Sequence, residues 1–157
     1  MLAQLKQYLL VFLVAMAPIV ELRGAIPIGV GMGLDMVPTY IAAIIGNILP
    51  VPFLILFSKR VLTWLAGRKR IGPFFQKIID RADNKAKNIG KAELLGLFLF
   101  VAIPIPGTGA WMGSLIAAIL QLRVVPAFFA ISGGVCTAGV LMMLASQGLL
   151  GIFSSLF

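Results

Sequence analysis

Five uncharged runs fill most of this 157-residue sequence and restrict its fold more than any other feature. A helix that crosses a bilayer needs about 20 consecutive apolar residues. A soluble domain averages about 25% charged residues, whereas this chain is 11% charged and 61% hydrophobic. The sequence therefore predicts an all-α integral membrane protein, with its uncharged runs at residues 7–20, 24–34, 36–58, 94–122 and 124–157.

Two of these runs are suited to simple spanning helices. Residues 36–58 and residues 126–147 carry no charge and are long enough to cross the hydrocarbon core. Pro38 and Pro126 lie where the two helices would begin, which is a favourable position for proline. We predict one spanning helix in each half of the chain.

The other runs are too short or are interrupted. Proline removes a backbone donor and glycine weakens a helix, so each uninterrupted arm would reach only about half of the hydrocarbon core. This pattern predicts two re-entrant helical hairpins, with tips that are buried in protein or line a cavity. Kinked full spans are the alternative. The interrupting residues are Glu21, Arg23, Gly24 and Pro27 in the first hairpin, and Pro104, Pro106, Gly107 and Gly109 in the second.

The two halves carry an internal repeat. A shift of 88 positions aligns residues 12–46 with residues 100–134 without a gap, with eight identities that include Pro18 with Pro106. The shift aligns the helix-breaking residues of one half with those of the other, and it aligns the predicted starts of the two spanning helices. Each half is therefore predicted to contain a hairpin followed by a spanning helix.

The basic residues orient the two halves. Residues 59–93 hold ten of the 13 basic residues, so the positive-inside rule predicts that this segment is cytoplasmic. If each hairpin returns to its own side, the first repeat (residues 1–58) and the second repeat (residues 94–157) are inverted within a single membrane domain, residues 1–157.

The cytoplasmic segment has the pattern of an amphipathic helix. Apolar residues recur at helical spacing between Pro73 and Gly90, and Lys77 and Arg81 share the opposite face. Such a helix is suited to lie on an anionic inner leaflet. A nucleic-acid site is the alternative, which the apolar composition of the whole chain disfavours.

Glu21 and Arg23 lie between two uncharged runs. An ionisable residue at membrane depth is costly, and its default interpretation is a substrate, ion or proton site. Two residues apart, they would not face each other on a continuous helix. A break at Gly24 and Pro27 would let them pair or diverge, and an ion pair that only holds the hairpin is the structural alternative.

The second tip offers backbone donors in place of charge. We expect Thr108 to cap the following half-helix while Gly109 and Ala110 leave N–H groups free, and such helix N-termini bind anions. Arg23 would add a guanidinium suited to phosphate. The pattern predicts a site for an anionic headgroup near the midplane, with Glu21 as the candidate proton-coupling acid.

Two further residues are candidates for the site, and several chemistries are excluded. Trp111 either contacts a ligand or packs against the first hairpin, and Asn47 either lines the cavity or bonds to a neighbouring helix. The chain has no histidine and a single cysteine, Cys136. We therefore expect no metal site, no cofactor and no enzymatic activity.

The motifs Glu21-Leu-Arg23-Gly24-Ala-Ile-Pro27 and Pro104-Ile-Pro106-Gly107-Thr108-Gly109-Ala-Trp111 resemble those of the small multidrug export protein family of prokaryotes. The resemblance covers nearly the whole chain. That family is similar in layout to the DedA/VTT membrane proteins, which implies two opposed re-entrant hairpins and, for some DedA members, transport of a phosphorylated polyprenyl carrier lipid.

In this resemblance Glu21 matches the acidic residue of the first hairpin, and Pro104 to Gly107 match the proline-glycine tip of the second. DedA members usually carry arginines around the second tip. This chain has none there, and Arg23 lies in the first hairpin instead.

The expected function is a multi-pass transporter of the prokaryotic inner membrane. It would carry an amphiphilic substrate, with proton coupling through Glu21, and act as a homodimer that packs through small residues such as Gly29 to Gly33 and Gly133 to Gly139. A cationic multidrug exporter is one alternative. A non-transporting protein that assembles or organises lipids is the other.

Overall fold

The computed structural model describes the backbone of residues 2–69, 71–86 and 91–156, and the side chains of residues 4–69, 71–81 and 91–148. Within these ranges the chain forms eight α-helices and no strand, which confirms the predicted all-α fold. The helices are α1 (Leu2–Met16), α2 (Glu21–Gly31), α3 (Met36–Ile48), α4 (Val51–Ala66), α5 (Gly72–Ala86), α6 (Lys91–Ala102), α7 (Ala110–Ile119) and α8 (Val124–Leu156).

Two stretches of helix in the described residues are long and apolar enough to cross a membrane. Met36–Ala66 comprises α3 and α4 and contains an 18-residue window with a mean hydropathy of 2.2. Val124–Gly148 belongs to α8 and contains an 18-residue window with a mean hydropathy of 2.0. Both predicted spanning segments are therefore present as helices. A turn at Leu49 and Pro50 separates α3 from α4, because proline has no N–H to continue the helix.

Each half begins with two helices joined by a tip. The first tip is the turn at residues 17–20, and the second tip is the loop at residues 103–109. The expected break at Gly24 and Pro27 is wrong, since both residues lie inside α2. The break between α1 and α2 lies at Pro18 instead. The helix α2 continues through Pro27 with the loss of one backbone hydrogen bond, a loss that membrane helices in general tolerate.

The helices of the two halves recur at the predicted offset. Shifted by 88 positions, α2 coincides with α7 to within one residue and α3 begins where α8 begins. The packing also corresponds, because α1 lies against α3 as α6 lies against α8. Across the halves, α2 packs on α8 and α7 packs on α4.

The turns that follow α2 and α7 have the same hydrogen bonds. The N–H of Leu34 donates to the C=O of Gly29 at 3.1 Å, and the N–H of Leu122, 88 residues later, donates to the C=O of Ala117 at 2.9 Å. These bonds close both helices with one residue in the left-handed region. That residue is Gly33 in the first half and Gln121 in the second, with φ of 73° and 52°.

The first tip lies halfway along the first long helical stretch. Gly29 of α2 packs against the methyl group of Thr39 in α3, and the short turn between the two helices makes them antiparallel. Glu21 is eight residues before Gly29 in α2, and Asn47 is eight residues after Thr39 in α3. Because the helices are antiparallel, the rise of an α-helix would bring Glu21 and Asn47 to the same level, about 12 Å from that contact. Asn47 lies near the middle of Met36–Ala66.

The second tip lies at a similar position along the second long helical stretch. Gly113 of α7 packs against Ile131 of α8, and the turn between these two helices makes them antiparallel. Four residues toward the tip, Gly109 is level with Val135, near the middle of Val124–Gly148. The buried core runs between the two tips along both long stretches and includes Val11, Ala15, Leu22, Ile26, Ile55, Leu97, Val101, Leu122, Ile131 and Val135.

The basic connecting segment contains α5, as its apolar period predicts. Phe75, Ile78 and Ile79 are partly buried on one face, while Lys77 and Arg81 are exposed on the other. The predicted end of this helix at Gly90 lies outside the described residues, as do the side chains of the lysines beyond Arg81.

Candidate functional site

Glu21 lies at the N-terminus of α7. Its side chain is only 6% exposed, and its Oε1 accepts a hydrogen bond from the backbone N–H of Trp111 at 3.2 Å. The N-cap residue of α7, Gly109, has no side chain to cap the helix. The carboxylate of Glu21 therefore acts as the cap, where the partial positive charge of a helix N-terminus favours an anion.

Gly109 leaves room for this carboxylate. A Cβ on Gly109 would overlap the Oε2 of Glu21. The φ of Gly109 is 175°, an extended conformation that any residue can adopt. Glycine is therefore required by the approach of Glu21 and not by the backbone conformation.

Arg23 lies on the other side of the second tip, beside the C-terminus of α6. Its guanidinium donates to the C=O of Ile105 at 2.6 Å, of Ile103 at 3.2 Å and of Val101 at 3.5 Å. Pro104 and Pro106 have no N–H, so the loop offers few backbone donors to these carbonyls. A cation at a helix C-terminus is also favoured by the helix dipole.

Thr108 contributes to the same network. Its Oγ1 accepts a hydrogen bond from Arg23 at 2.8 Å and lies 2.8 Å from the C=O of Ile103 and 2.9 Å from that of Ile105, to which its hydroxyl can donate. The expected capping of α7 by Thr108 is wrong. The hydroxyl turns toward the loop carbonyls, and Glu21 takes the capping position.

Glu21 and Arg23 diverge instead of pairing with each other through hydrogen bonds. The first bonds to the start of α7 and the second to the end of α6, so both charges of the first hairpin serve helix ends of the second. Glu21 also has a left-handed backbone, with φ of 50°, which is uncommon for a residue other than glycine. Residues held in this way are frequent at functional sites.

Trp111 packs against the first hairpin, one of the two predicted roles. Its indole N–H donates to the C=O of Met16, the last residue of α1, at 3.1 Å. Together with the bond between Glu21 and its own backbone, Trp111 connects the second hairpin to both sides of the first tip.

A cavity of about 630 Å³ lies between the two tips. Eight of the predicted site residues line it, namely Glu21, Arg23, Gly24, Pro104, Pro106, Gly107, Thr108 and Gly109. The prediction missed Pro18, Ile19, Val20, Met112 and Met142. Pro18 could have been found, because the repeat aligns it with Pro106.

Three predicted site residues are not among the residues that line this cavity. Pro27 lies within α2, and Trp111 contributes its backbone N–H to Glu21. Asn47 is 1% exposed in α3, and neither its side-chain nitrogen nor its oxygen has a hydrogen-bond partner among the described residues. The predicted helix-to-helix hydrogen bond of Asn47 is therefore not formed in this conformation.

The fold and the site together define an α-helical membrane protein with a mainly apolar cavity, lined by Glu21 and Arg23, between two helical tips. A family model described as "Putative small multi-drug export protein" matches residues 21–141, and the chain belongs to this family. The matched segment begins at Glu21 and includes both tip motifs. Comparisons with curated proteins and with solved structures gave no match.

Proposed function

We propose that this chain is a multi-pass transporter of the prokaryotic inner membrane that carries an amphiphilic anion, such as a phosphorylated lipid, through the cavity between its tips. The observation that carries the proposal is the composition of this cavity. A guanidinium and a helix N-terminus, two groups that bind phosphate, line one cavity with apolar and thioether side chains.

The proposed membrane arrangement has two re-entrant hairpins that enter from opposite sides. It is supported by the matched depth of the tips and by the equivalent turns at residues 32–35 and 120–123. The basic residues between the halves favour a cytoplasmic location for residues 59–93. Single cysteines at Met36 and Val124, in a Cys136→Ser background, should react with impermeant reagents from opposite sides, and labelling from one side would reject the inversion.

The proposed mechanism exchanges one anion for another. The substrate phosphate would displace the carboxylate of Glu21 from the N–H groups at the start of α7, while Arg23 turns from the loop carbonyls to the phosphate. Glu21 would take up a proton as it leaves, because a carboxylate without a partner is costly at membrane depth. Loss of the hydrogen bonds from Arg23 to the loop carbonyls would release the second tip from the first hairpin.

The proposal also includes contact between the protein and the headgroups of the anionic inner leaflet. Trp64 is exposed near the end of α4, and the guanidinium of Arg68 lies 4.1 Å from the centre of its ring. Phe74 is exposed near the start of α5. Aromatic rings beside basic side chains are suited to the headgroup region of an anionic inner leaflet.

Two alternatives have specific support. The buried carboxylate of Glu21 and the flexible thioethers of Met112 and Met142 would suit a lipophilic cation, as the family description suggests. The bonds of Glu21 and Arg23 to helix ends would also suit a protein that does not transport, in which both residues only hold the hairpins together.

The test is binding of a short-chain prenyl phosphate and of a lipophilic cation to purified variants. The anion model predicts that Arg23→Ala abolishes phosphate binding, that Arg23→Lys weakens it because the bidentate fork is lost, and that Glu21→Gln retains it without pH dependence. Arg123→Ala is the matched control, since Arg123 is exposed on the turn after α7.

Each alternative predicts a different pattern. In the cation model Glu21→Gln abolishes cation binding, and Arg23→Ala leaves it intact or strengthens it. In the non-transporting model neither probe binds the wild-type protein, single changes lower stability, and the double change Glu21→Gln with Arg23→Gln restores part of it. Phosphate binding that survives Arg23→Ala would reject the anion proposal.

A further inference from the structure

We infer that the two tips form an interface with a second copy of this chain. The inference rests on the proposed membrane arrangement, in which both tips lie at mid-depth. The tip face consists of Ile19 and Val20 of the first tip and Ile103, Ile105 and Gly107 of the second. All five are exposed, and Ile19, Val20 and Gly107 line the cavity between the tips.

The side chains of the tip face argue against contact with water. Ile19 is 92% exposed and Ile105 is 54% exposed, and Ile103 and Val20 are exposed beside them. Transfer of such side chains out of water is favourable by about 25 cal/mol for each Å² of apolar area. A water-filled vestibule would leave this group of side chains hydrated.

The backbone of the tip face argues against contact with lipid. Among the described residues, no hydrogen bond is made by the N–H of Ile19, Val20 or Gly107, or by the C=O of Pro104 or Pro106. Irregular backbone at membrane depth is tolerated only where protein buries it or where it lines a water-filled cavity. Protein is the environment that suits both the apolar side chains and the unpaired backbone groups.

The same backbone groups make the tip face self-complementary. It presents the free N–H groups of Ile19 and Val20 on the first tip, and the free C=O groups of Pro104 and Pro106 with the N–H of Gly107 on the second. A two-fold axis through the face would therefore bring donors of one copy to acceptors of the other. Closed two-fold dimers are the commonest symmetric assemblies. This pairing specifies a second copy of the chain as the occupant.

The cavity is incomplete without this partner. The hydrogen bond from Arg23 to the C=O of Ile105 is exposed, although the guanidinium that donates it carries a full positive charge. A charge at membrane depth is normally directed into protein or into an aqueous cavity. The second copy would close the cavity and separate Arg23 from the lipid.

Three of the glycines first predicted to form the dimer interface pack within the chain, whereas Gly31 and Gly33 of that prediction meet open space. Gly29 contacts Thr39, Gly134 contacts Val101, and Gly139 contacts Tyr40. These close approaches between helices leave no room for a second copy at those three positions. The tip face, by contrast, is made of exposed side chains with no neighbour in the described part of the chain that covers them.

The experiment is cross-linking of single cysteines in native membranes, in a Cys136→Ser background. Ile19→Cys, Ile105→Cys and a co-expressed mixture of the two are treated with a short bifunctional maleimide. Phe53→Cys and Phe129→Cys are matched controls, because their side chains are 70% and 67% exposed on α4 and α8, away from the tips. We expect dimer at one or both tip positions, or in the mixture, at a yield several-fold above both controls.

Three results would overturn the inference. Equal yields at tip and control positions would indicate random collision. Monomeric tip variants labelled by a water-soluble maleimide would indicate a water-filled mouth, and monomers labelled only by a lipid-soluble maleimide would indicate contact with lipid. If Ile19→Cys does not fold, Val20→Cys replaces it. Because no substrate is used, a failure here is distinguishable from a failure to bind phosphate.

Discussion

The two tips lie at similar positions along the two long helical stretches and differ in composition. The first is a turn of four residues that leads directly into Glu21 and Arg23, whereas the second is a loop of seven residues with two prolines, two glycines and no charge. The turns at the other ends of α2 and α7 are alike, down to their hydrogen bonds. The symmetry of the halves is therefore kept at the turns and lost at the tips.

This difference indicates that the second hairpin is incomplete without the first. The second hairpin has two free helix ends, at the end of α6 and the start of α7, and the first hairpin supplies a side chain of suitable charge to each. The first tip requires no such help, because its turn is short. The asymmetry couples the two halves at the cavity.

The largest expected effect comes from Arg23→Ala, which removes the cation from the second tip. The loop carbonyls of Ile103 and Ile105 would each lose their charged donor, and hydrogen bonds to charged groups contribute about 1.5–3 kcal/mol each. We expect the free energy of unfolding, from denaturant titration in detergent, to fall by about 3 kcal/mol. Arg123→Ala should change it by less than about 0.5 kcal/mol. Equal effects would mean that the second tip is stable without Arg23.

Gly109→Ala should be next, because the new methyl group would overlap the carboxylate of Glu21. Overpacking of this kind costs about 2 kcal/mol. Gly96→Ala is the matched control, since no atom lies near its Cβ and alanine favours a helix. The double change with Glu21→Ala should cost less than the sum of the two single changes. Strict additivity would show that Glu21 does not occupy the start of α7.

The helices and one tip were predictable from local signals in the sequence. Pro104, Pro106, Gly107 and Gly109 end one helix and begin another within a few residues, because proline lacks a donor and glycine lacks a side chain. The length of the uncharged runs predicts the two long helical stretches in the same way. Each of these signals acts through residues that are neighbours in the chain.

The partners of the charged residues were not predictable, because they are distant in sequence. Arg23 bonds to Thr108 and Glu21 bonds to Trp111, across 85 and 90 residues. Thr108 has the local pattern of a helix cap, but tertiary contacts with Arg23 and the loop carbonyls determine its orientation. The predicted helix break at Pro27 is wrong for a related reason, since packing of α2 on α8 and α3 accommodates a local helix breaker.

Smaller effects are expected from substitutions of the two side chains that bond to the turns after α7 and α2. Lys59 of α4 donates to the C=O of Leu122 at 2.6 Å, and Gln147, 88 residues after Lys59, bonds to the sulfur of Met36 beside the other turn. Lys59→Met should lower the free energy of unfolding by about 1.5 kcal/mol, because a charged donor is lost. Gln147→Met should cost less than about 0.5 kcal/mol, since thioether sulfur is a weak acceptor. The reverse order would show that the turn after α2 is the more dependent one.

The smallest effects test whether the two turns are equivalent. Gly33 and Gln121 occupy the same left-handed position, where a residue with a side chain costs about 1–2 kcal/mol relative to glycine. Gly33→Ala should therefore destabilise the protein by about 1 kcal/mol, and Gln121→Gly should stabilise it by up to about 1 kcal/mol after the greater entropy of unfolded glycine is subtracted. Gly31→Ala is the control, since its Cβ would meet open space at the end of α2 without a left-handed backbone. Thermal unfolding of the three variants would measure this, and destabilisation by Gln121→Gly would show that contacts of the glutamine side chain, and not the backbone alone, hold the second turn.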